Sequence, residues 1–430
     1  MIDILLYIIF GVYFLGFIFT LLTIFLEKKY QKKLDKVKVK EYKNIYVLLP
    51  ALREQKIVDE TIDWFKKIKY KGDIKYIVVT TEREEYENKI NNIKEVTTSQ
   101  LVEKKLKKIK DNRFMHIHYP ETKGNKSSQM NYAVDQILKT EKDLENTYIS
   151  VFDFDSKPDI NTFNELNKVA VLRNNPDAIN QVPLCFKNYE EFSKDKSKIL
   201  LLLYAFQHTI RSCAIEKMKL LVSSLTNMRV PQYFMGACMH IKLQSLVDNE
   251  KFPIFVDDLT LGYRMSIKNG NFAYLPTYNY TLIPNKVYDY VNSAVLIFKG
   301  ISTYISEIKK SKGKNLWGRV KMFIAGTGNI VVFTIIPYII VFYYLYSIIT
   351  LDFSLLFWLL FSIPYLWSIA SYINLKYEGF NKDNKVMSFL AFVLSPIWFI
   401  FRPFGFFVYL KRLIISKISK TDIKYKKTER

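Results

Sequence analysis

Long apolar runs stand at both ends of this chain and none in its middle, and that arrangement restricts the fold more than any single motif. Residues 2–26 are apolar apart from Asp3, long enough to cross ~30 Å of hydrocarbon. No basic segment precedes them and no small-residue cleavage site follows, so a secretory signal peptide is not expected. Directly after comes EKKYQKKLDKVKVKEYK, with eight lysines in seventeen residues. By the positive-inside rule this flank faces the cytoplasm and the N-terminus lies outside. Runs at 322–350 and 353–374, separated by Thr350-Leu351-Asp352, read as a helical hairpin. The last run, 386–410, is interrupted by Pro396 and by Arg402-Pro403 and leads into a lysine-rich tail. One crossing before the middle and two after it return the chain to the cytoplasm near Tyr377. A further full crossing would leave the basic tail outside, so 386–410 is expected to be membrane-embedded or re-entrant, with the backbone freed by its prolines covered by protein or water.

The expected division is a transmembrane helix at 1–27, a basic linker at 28–44, a cytoplasmic domain at 45–286 and an amphipathic region at 287–318. Transmembrane helices at 319–350 and 353–375, the embedded segment and a basic cytoplasmic tail at 411–430 complete it. Within 287–305, Val287, Tyr290, Val291, Ala294, Val295, Phe298, Ile301 and Ile305 share one stripe, with Lys299 and Ser302 off it. Such a helix lies on the bilayer surface or packs its stripe into a soluble domain. A hydrophobic share of 49% alongside 24% charged residues excludes a disordered chain. The net charge of +22 would suit nucleic acid or anionic lipid. Much of it flanks apolar runs, where each Lys or Arg gains ~1 kcal/mol near anionic lipid, so membrane lipid is the expected partner and nucleic acid is not. Cys185, Cys213 and Cys238 are an odd, scattered set that excludes a disulfide scaffold or zinc ribbon and suits a reduced, cytosol-facing domain.

Between Tyr42 and Pro284, strand-like and helix-like runs alternate. NIYVLLPAL, IKYIVVTT, RFMHIHYP and TYISVFDFD are short, β-branched or aromatic, and end in turn or polar residues. DETIDWFKKIKY and SSQMNYAVDQILKT carry apolar residues at helical spacing. Alternation of this kind predicts an α/β domain with a largely parallel sheet, whose ligands sit at the carboxyl ends of the strands. Four constellations fall there. Asp153 and Asp155 close the fourth strand. In an extended strand positions i and i+2 face one way, so the pair suits Mg²⁺ or Mn²⁺ on phosphate oxygens, or is simply a polar strand end. Asp257-Asp258 precede a helical run and either cap it or, partly buried beside one another, supply a general base of raised pKa. The loop Lys123-Gly124-Asn125-Lys126 before a helix attracts anions by charge and dipole, or is an exposed basic loop. Pro50-Ala51-Leu52-Arg53-Glu54 closes the first strand.

In this order the segments resemble the membrane-bound inverting glycosyltransferases of family 2, which include cellulose, chitin, hyaluronan and poly-N-acetylglucosamine synthases. YVLLPALRE resembles the family's "P-A-Y-N-E" loop, KGNKSSQMNYAV its "K-x-G-K-x-x-A-L-N" segment, and VFDFDSKP its "DADS-x-P". YFMGACMHIKLQSL resembles "G-A-G-x-x-x-R-R-x-x-L", FVDDLTLGYRM resembles "T-E-D-x-D-L-G-x-R", and the terminal KYKKTER resembles "W-x-K-T-E-R". The resemblance covers roughly 45–300. It implies a GT-A fold, Rossmann-like with a mixed, mostly parallel sheet, plus helical transmembrane segments, in a multi-pass enzyme of the inner cell membrane.

It further implies a nucleotide-diphosphate sugar donor, a UDP-sugar in the first instance, and a divalent Mg or Mn ion. Asp155 takes the place of the metal ligand, and Asp153 supports metal and nucleotide. Asp258 stands where the base deprotonates the acceptor hydroxyl, with Asp257 beside it. Pro50, Ala51, Arg53, Glu54, Lys123, Lys126, Gln129 and Asn131 fall on donor-binding positions, and Gly236, Ala237, Phe298 and Lys299 on the acceptor side. No covalent nucleophile is required, in keeping with the absence of a Ser/His or Cys/His signature, and His240 is expected to be a pocket or packing residue. Two departures stand out. The uracil-contacting "V-V-D-D-x-S" reads Val78-Val79-Thr80-Thr81-Glu82, which leaves the base open. The "Q-x-x-R-W" of polymer synthases is replaced at its three positions by Ser293, Leu296 and Ile297. The expectations are therefore a polysaccharide synthase, a transferase adding one sugar to a membrane lipid, or a non-catalytic scaffold of the same fold. The paired carboxylates weigh against the last.

Overall fold

The computed structural model describes residues 2–184, 195–202, 216–226, 228–254, 256–283, 286–313, 315–377 and 392–419. Cys185, Cys213, residues 386–391, the side chain of Ser293 and the tail from 420 lie outside the described residues. The chain divides into a sheet unit, residues 30–183 and 222–281, and a helical unit formed by 1–29, 184–221 and 282–430.

The sheet unit holds eight strands: β1 (Asn44–Pro50), β2 (Ile74–Thr81), β3 (Phe114–Tyr119), β4 (Thr147–Phe152), β5 (Lys157–Pro158), β6 (Ala178–Leu184), β7 (Cys238–Lys242) and β8 (Phe272–Tyr280). Their spatial order is β3-β2-β1-β4-β7-β6-β8-β5. The four runs read as strands from sequence form the parallel half, β3-β2-β1-β4. The other half is antiparallel, since β7 runs against both β4 and β6, and β5 against β8. The reversal has a local cause. A tight turn, bridged from Met235 to Cys238, starts β7 opposite the end of β4, pairing Cys238 with Phe152. Segment 235–237 therefore sits at the same sheet edge as the carboxyl ends of β1, β2 and β4.

Strands β2 and β4 are mostly apolar and buried on both faces, as parallel central strands must be. On one face helix α5 (Lys126–Thr140) sets Met130, Ala133, Val134 and Ile137 against Leu48, Ile77, Ile149 and Val151, and Met239, Ile241, Leu261 and Met265 continue the layer. On the other, Phe65 of α2 (Val58–Lys67) and Phe163 of α6 (Thr162–Leu172) pack on Phe152 with ring centroids 5.7 and 6.2 Å away. Fully buried side chains of this size contribute ~1.5–3 kcal/mol each, which keeps the sheet rigid beneath its edge loops.

In the helical unit, α1 (Ile2–Leu34) is long and apolar enough to cross a membrane, the only such helix among the described residues. It runs past the expected end near residue 27, because Lys, Glu and Gln are good helix formers and Tyr30 and Leu34 are buried. A helical run from Leu316 to Thr350 contains a π segment at Val331–Ile335. Tyr13 of α1 donates to the Val332 carbonyl at 2.8 Å, satisfying a group that such a segment displaces. Leu6, Ile9 and Tyr13 pack with Ile340 and Tyr344, and with Leu360 and Ile363 of the helix Leu355–Tyr377. Helix Ser395–Ser419 passes through Pro403 unbroken, which corrects the interruption expected there, but it starts only after a turn at Leu394, with Pro396 in its first turn. There a missing N–H costs nothing, and in so apolar a run unpaired backbone would cost more than one lost bond. The expected amphipathic stretch is helix Val287–Lys310. Val295, Ile301 and Tyr304 are buried, whereas Ile305, expected on the stripe, is exposed. Lys217 and Glu27 form a buried ion pair within this unit.

Candidate active site

The chemistry-bearing residues meet at the carboxyl edge of the parallel strands. Strand β4 stops at Phe152, and the next residues form a turn closed by the Ser156 N–H on the Asp153 carbonyl at 2.9 Å. This corrects the extended-strand expectation, in which Asp153 and Asp155 face one way. Instead Asp155 is buried and Asp153 remains partly open. The Asp153 N–H donates to the Ala237 carbonyl at 3.3 Å. Lys126, opening α5, donates from Nζ to Asp153 Oδ1 at 2.7 Å and to the Gly236 carbonyl at 2.9 Å. Burial opposes its charge, but Asp153 and Asp257 outweigh that and hold its pKa above the ordinary value. An ammonium group lodged between a carboxylate and a carbonyl marks a cradle complementary to positive charge. Asp153 and Asp155 are hard oxygen donors of the type that hold Mg²⁺ or Mn²⁺, although no group of three His, Cys, Asp or Glu side chains gathers as a metal site among the described residues.

Asp257 and Asp258 begin α9 (Asp257–Ile267), after Val256 in the left-handed region at φ 49°. The side chain before the helix caps nothing, so neither aspartate serves as an N-cap. Asp258 Oδ1 accepts from the Leu259 N–H at 2.7 Å. Burial first, and the neighbouring Asp257 second, push the Asp258 carboxyl up to about 7. Burial also raises Asp257, with Lys126 working against it, and Asp257 Oδ2 has no hydrogen-bond partner among the described residues. Two glycines make the geometry possible. A Cβ on Gly236 would lie 2.7 Å from Asp258 Oδ2, and one on Gly262 would lie 2.3 Å from the Tyr233 Cα. Helix α9 thus touches backbone at 233–234 while its Asp258 carboxylate reaches Gly236.

The lysine-bearing loop also fixes this helix. Asn125 caps α5 through the Ser128 N–H and donates to the Ile254 carbonyl. Asn131 donates to the Phe252 carbonyl at 2.8 Å and accepts the Phe252 N–H at 2.9 Å. Both therefore hold the segment running into Asp257. Gln129 is buried one turn beyond Lys126, and Lys123 is exposed. Gly124, at φ 148°, makes the bend before the cap.

At the first strand, Ala51 donates its N–H to the Val79 carbonyl at 2.8 Å, directly after Pro50. Arg53 is left-handed at φ 56°. Its N–H donates to Glu84 Oε2 at 3.0 Å, and the Glu54 N–H to Thr98 Oγ1 at 2.9 Å. Glu84 belongs to α3 (Glu82–Ile90) and is 2% exposed. It also accepts from Gln55 Nε2 at 2.8 Å and from the Thr98 N–H at 2.9 Å. Glu87, one turn on, pairs with Arg53 and with Arg83, whose Nη1 reaches the Gly124 carbonyl at 3.1 Å. Helix α3 therefore ties the first-strand loop to the glycine loop. Sequence reading missed Glu84 and Glu87; the one available signal was an acidic run, Glu82-Arg83-Glu84-Glu85, directly after a strand. At the end of β2, Thr80 Oγ1 meets His116 Nε2 at 2.7 Å and His118 Nδ1 at 2.9 Å, and His118 Nε2 lies 3.1 Å from Glu82 Oε2.

His240 is fully buried, 2.8 Å from Ser150 Oγ, with its pKa pushed down to about 3 by burial. It is neutral and internal. Phe298 and Lys299 belong to the helical unit, on helix Val287–Lys310, where the Phe298 ring meets Phe406 at 5.5 Å.

No protein-family model matches this sequence, and no curated protein sequence matches it. Among solved structures, the mannosyltransferase PcManGT from Pyrobaculum calidifontis, in complex with GDP-Man and Mn²⁺, is similar in fold. The match covers 98% of this chain and 100% of that one, with a TM-score of 0.52 and 12% sequence identity. The chain thus shares the α/β fold of that enzyme.

Proposed function

We propose that this protein is a membrane-associated, divalent-metal-dependent glycosyltransferase. It moves a sugar from a nucleotide-diphosphate donor to an acceptor hydroxyl, with inversion, as the resemblance to family 2 implies. One observation carries the reading. The Asp153–Ser156 turn meets the Ala237 carbonyl, and Lys126 and Asp258 meet the adjoining Gly236, at the carboxyl edge of the sheet, where α/β proteins bind their ligands. PcManGT, solved with GDP-Man and Mn²⁺, supports a nucleotide sugar and a metal of that type.

In this reading Asp258 accepts the proton of the acceptor hydroxyl as its oxygen attacks the anomeric carbon. The bond to the diphosphate breaks from the opposite face, and its electrons remain on the phosphate oxygen. Asp153 and Asp155 would hold the metal ion, which when bound neutralises charge on the leaving diphosphate. Lys126 supplies further positive charge beside Asp153. Leu296 and Ile297, where polymer synthases carry a sugar-stacking motif, favour transfer to a membrane lipid over chain extension. The apolar helix α1 supports a membrane location.

The test incubates purified full-length protein with labelled GDP- and UDP-sugars and Mn²⁺ or Mg²⁺, then separates lipid-soluble from polymeric product. Label in the lipid fraction is expected. Asp155→Asn should abolish metal-dependent donor binding, transfer and donor hydrolysis together. Full activity of that variant, or in excess chelator, rejects the metal assignment.

A further inference from the structure

Asn279, on β8, belongs to none of the sequence motifs, yet it is fully buried behind the carboxylate turn. Its Nδ2 donates to Ser156 Oγ at 3.0 Å and to the Ala237 carbonyl at 2.9 Å. The two acceptors are the two ends of the reactive apparatus. Ser156 follows Asp155, and its own N–H closes the Asp153 turn. The Ala237 carbonyl receives the Asp153 N–H and adjoins Gly236, where an added Cβ would collide with Asp258 Oδ2. Ser156 Oγ also lies 3.4 Å from the Ala237 carbonyl, closing a triangle. The Ala237 carbonyl can only accept, so the donating end of the amide must face it.

We propose that Asn279 is a positioning residue for sugar transfer: by holding Ser156 and the Ala237 carbonyl together, it sets the separation between the Asp153/Asp155 turn and Asp258. This rests on the glycosyltransferase reading above. The amide touches neither the proposed metal ligands nor the base. It acts through the loop and the turn that carry them, so its loss should affect donor binding and the coupling of donor to acceptor rather than the proton transfer itself.

Asn279→Leu keeps the side-chain shape and removes both hydrogen bonds. Asn167→Leu is the control: Asn167 is equally buried but bonds the Lys43 N–H and the Glu41 carbonyl, in no contact with the carboxylate turn. Two quantities are measured on each full-length protein: calorimetric affinity for GDP and UDP with Mn²⁺, and the ratio of transfer to donor hydrolysis in the same preparation. That ratio is insensitive to the fraction folded. Loss of two hydrogen bonds should weaken Mn²⁺-dependent nucleotide binding and lower the ratio by about 10-fold, while Asn167→Leu leaves both at wild-type values. Ser156→Ala, a smaller change from the opposite side of the triangle, should move both in the same direction by a few-fold, and decides the matter alone if Asn279→Leu does not fold. Wild-type affinity and ratio in Ser156→Ala and in folded Asn279→Leu would overturn the proposal and leave Asn279 an ordinary core residue. A wild-type protein that binds neither nucleotide with Mn²⁺ overturns the glycosyltransferase reading and this one with it.

Discussion

Two ion pairs, one in each unit, use the same chemistry to opposite ends. In the helical unit Lys217 pairs with Glu27, the lysine side chain wholly shielded from water and the glutamate 9% exposed. In the sheet unit Lys126 pairs with Asp153, at side-chain exposures of 31% and 24%. The first pair is sealed, so its charges can only hold structure together. The second opens to solvent and is crowded on one side by Asp257 and Asp258, whose carboxyls are pushed upward by burial first, with Asp257 adding to the rise of Asp258 and Asp153 to that of Asp257. A protein tolerates such strained electrostatics where it works and neutralises charge where it does not.

The largest effect that can sharpen this contrast is on turnover. Asp258→Asn should cut it by a factor on the order of 10²–10⁴, the usual loss for a general base, while Mn²⁺-dependent nucleotide binding stays within about 3-fold. Removing the charge of Lys217 should leave the activity of each folded molecule unchanged. In the wild type, kcat/KM should climb with pH along a limb centred near the raised value of about 7 for Asp258. A flat profile from pH 5 to 9, or Asp257→Asn proving the more damaging substitution, would put the base elsewhere.

Next in size is the sealed pair. Lys217→Ala removes the lysine charge beside buried Glu27 and should cost about 3–5 kcal/mol in denaturant unfolding. Lys217→Met combined with Glu27→Leu should recover most of that loss, because two apolar side chains of similar volume avoid the desolvation of both charges. If the double variant is as unstable as the single one, the pair makes a directional contribution that hydrophobic packing cannot replace.

The smallest effect is on the stability of the ligand-free protein. The carboxyls of Asp257 and Asp258 titrate higher when folded than in the unfolded chain, where aspartate titrates near ~3.9. Between roughly that value and the folded value of about 7 for Asp258, the native state keeps protons that the unfolded state has released. The stabilisation is therefore complete at low pH and is lost as pH rises through the window. Tm should fall from pH 5 to pH 8 in the wild type. Asp257→Asn should flatten that fall and raise Tm at pH 8 by about 2–4 °C, and a steeper fall in the variant would contradict the like-charge account.

Much of the sheet unit was legible because its signals are local. The apolar runs ending at Pro50, Thr81, Tyr119 and Phe152 are strands to within a few residues of their expected bounds, and Met130, Ala133, Val134 and Ile137 sit on one helix face. What escaped is what depends on distant partners. Glu84 reads as one more surface acid, yet its carboxylate organises residues 53, 55 and 98. Asn279 lies in a tyrosine-rich strand with nothing nearby in sequence to mark it. The turn at Asp153 was misjudged as strand because VFDFD alternates as a strand would; what ends it is the Ala237 carbonyl, supplied by a loop more than eighty residues later. Helix α1 outlasted its apolar run because Tyr30 and Leu34 find burial, which a lysine-rich stretch does not advertise. In the helical unit, helix Ser395–Ser419 carried through Pro403 because surroundings can outweigh a residue's own preference.

The reversal of β7 has a consequence for how the molecule is made. Strand β4 acquires its second neighbour only when Phe152 finds Cys238, 86 residues further along the chain. At synthesis rates of ~5–20 residues per second, the stretch between them takes on the order of ten seconds to emerge. Throughout that interval TYISVF, apolar and rich in β-branched residues, waits at the nascent sheet with one edge open, the situation that invites association with other chains. High contact order of this kind slows folding, and here it falls on the strand that leads into Asp153. The carboxylate turn therefore gains its hold on the Ala237 carbonyl only after that distant loop has been made, so formation of the proposed site depends on a long-range contact rather than on the turn's own sequence.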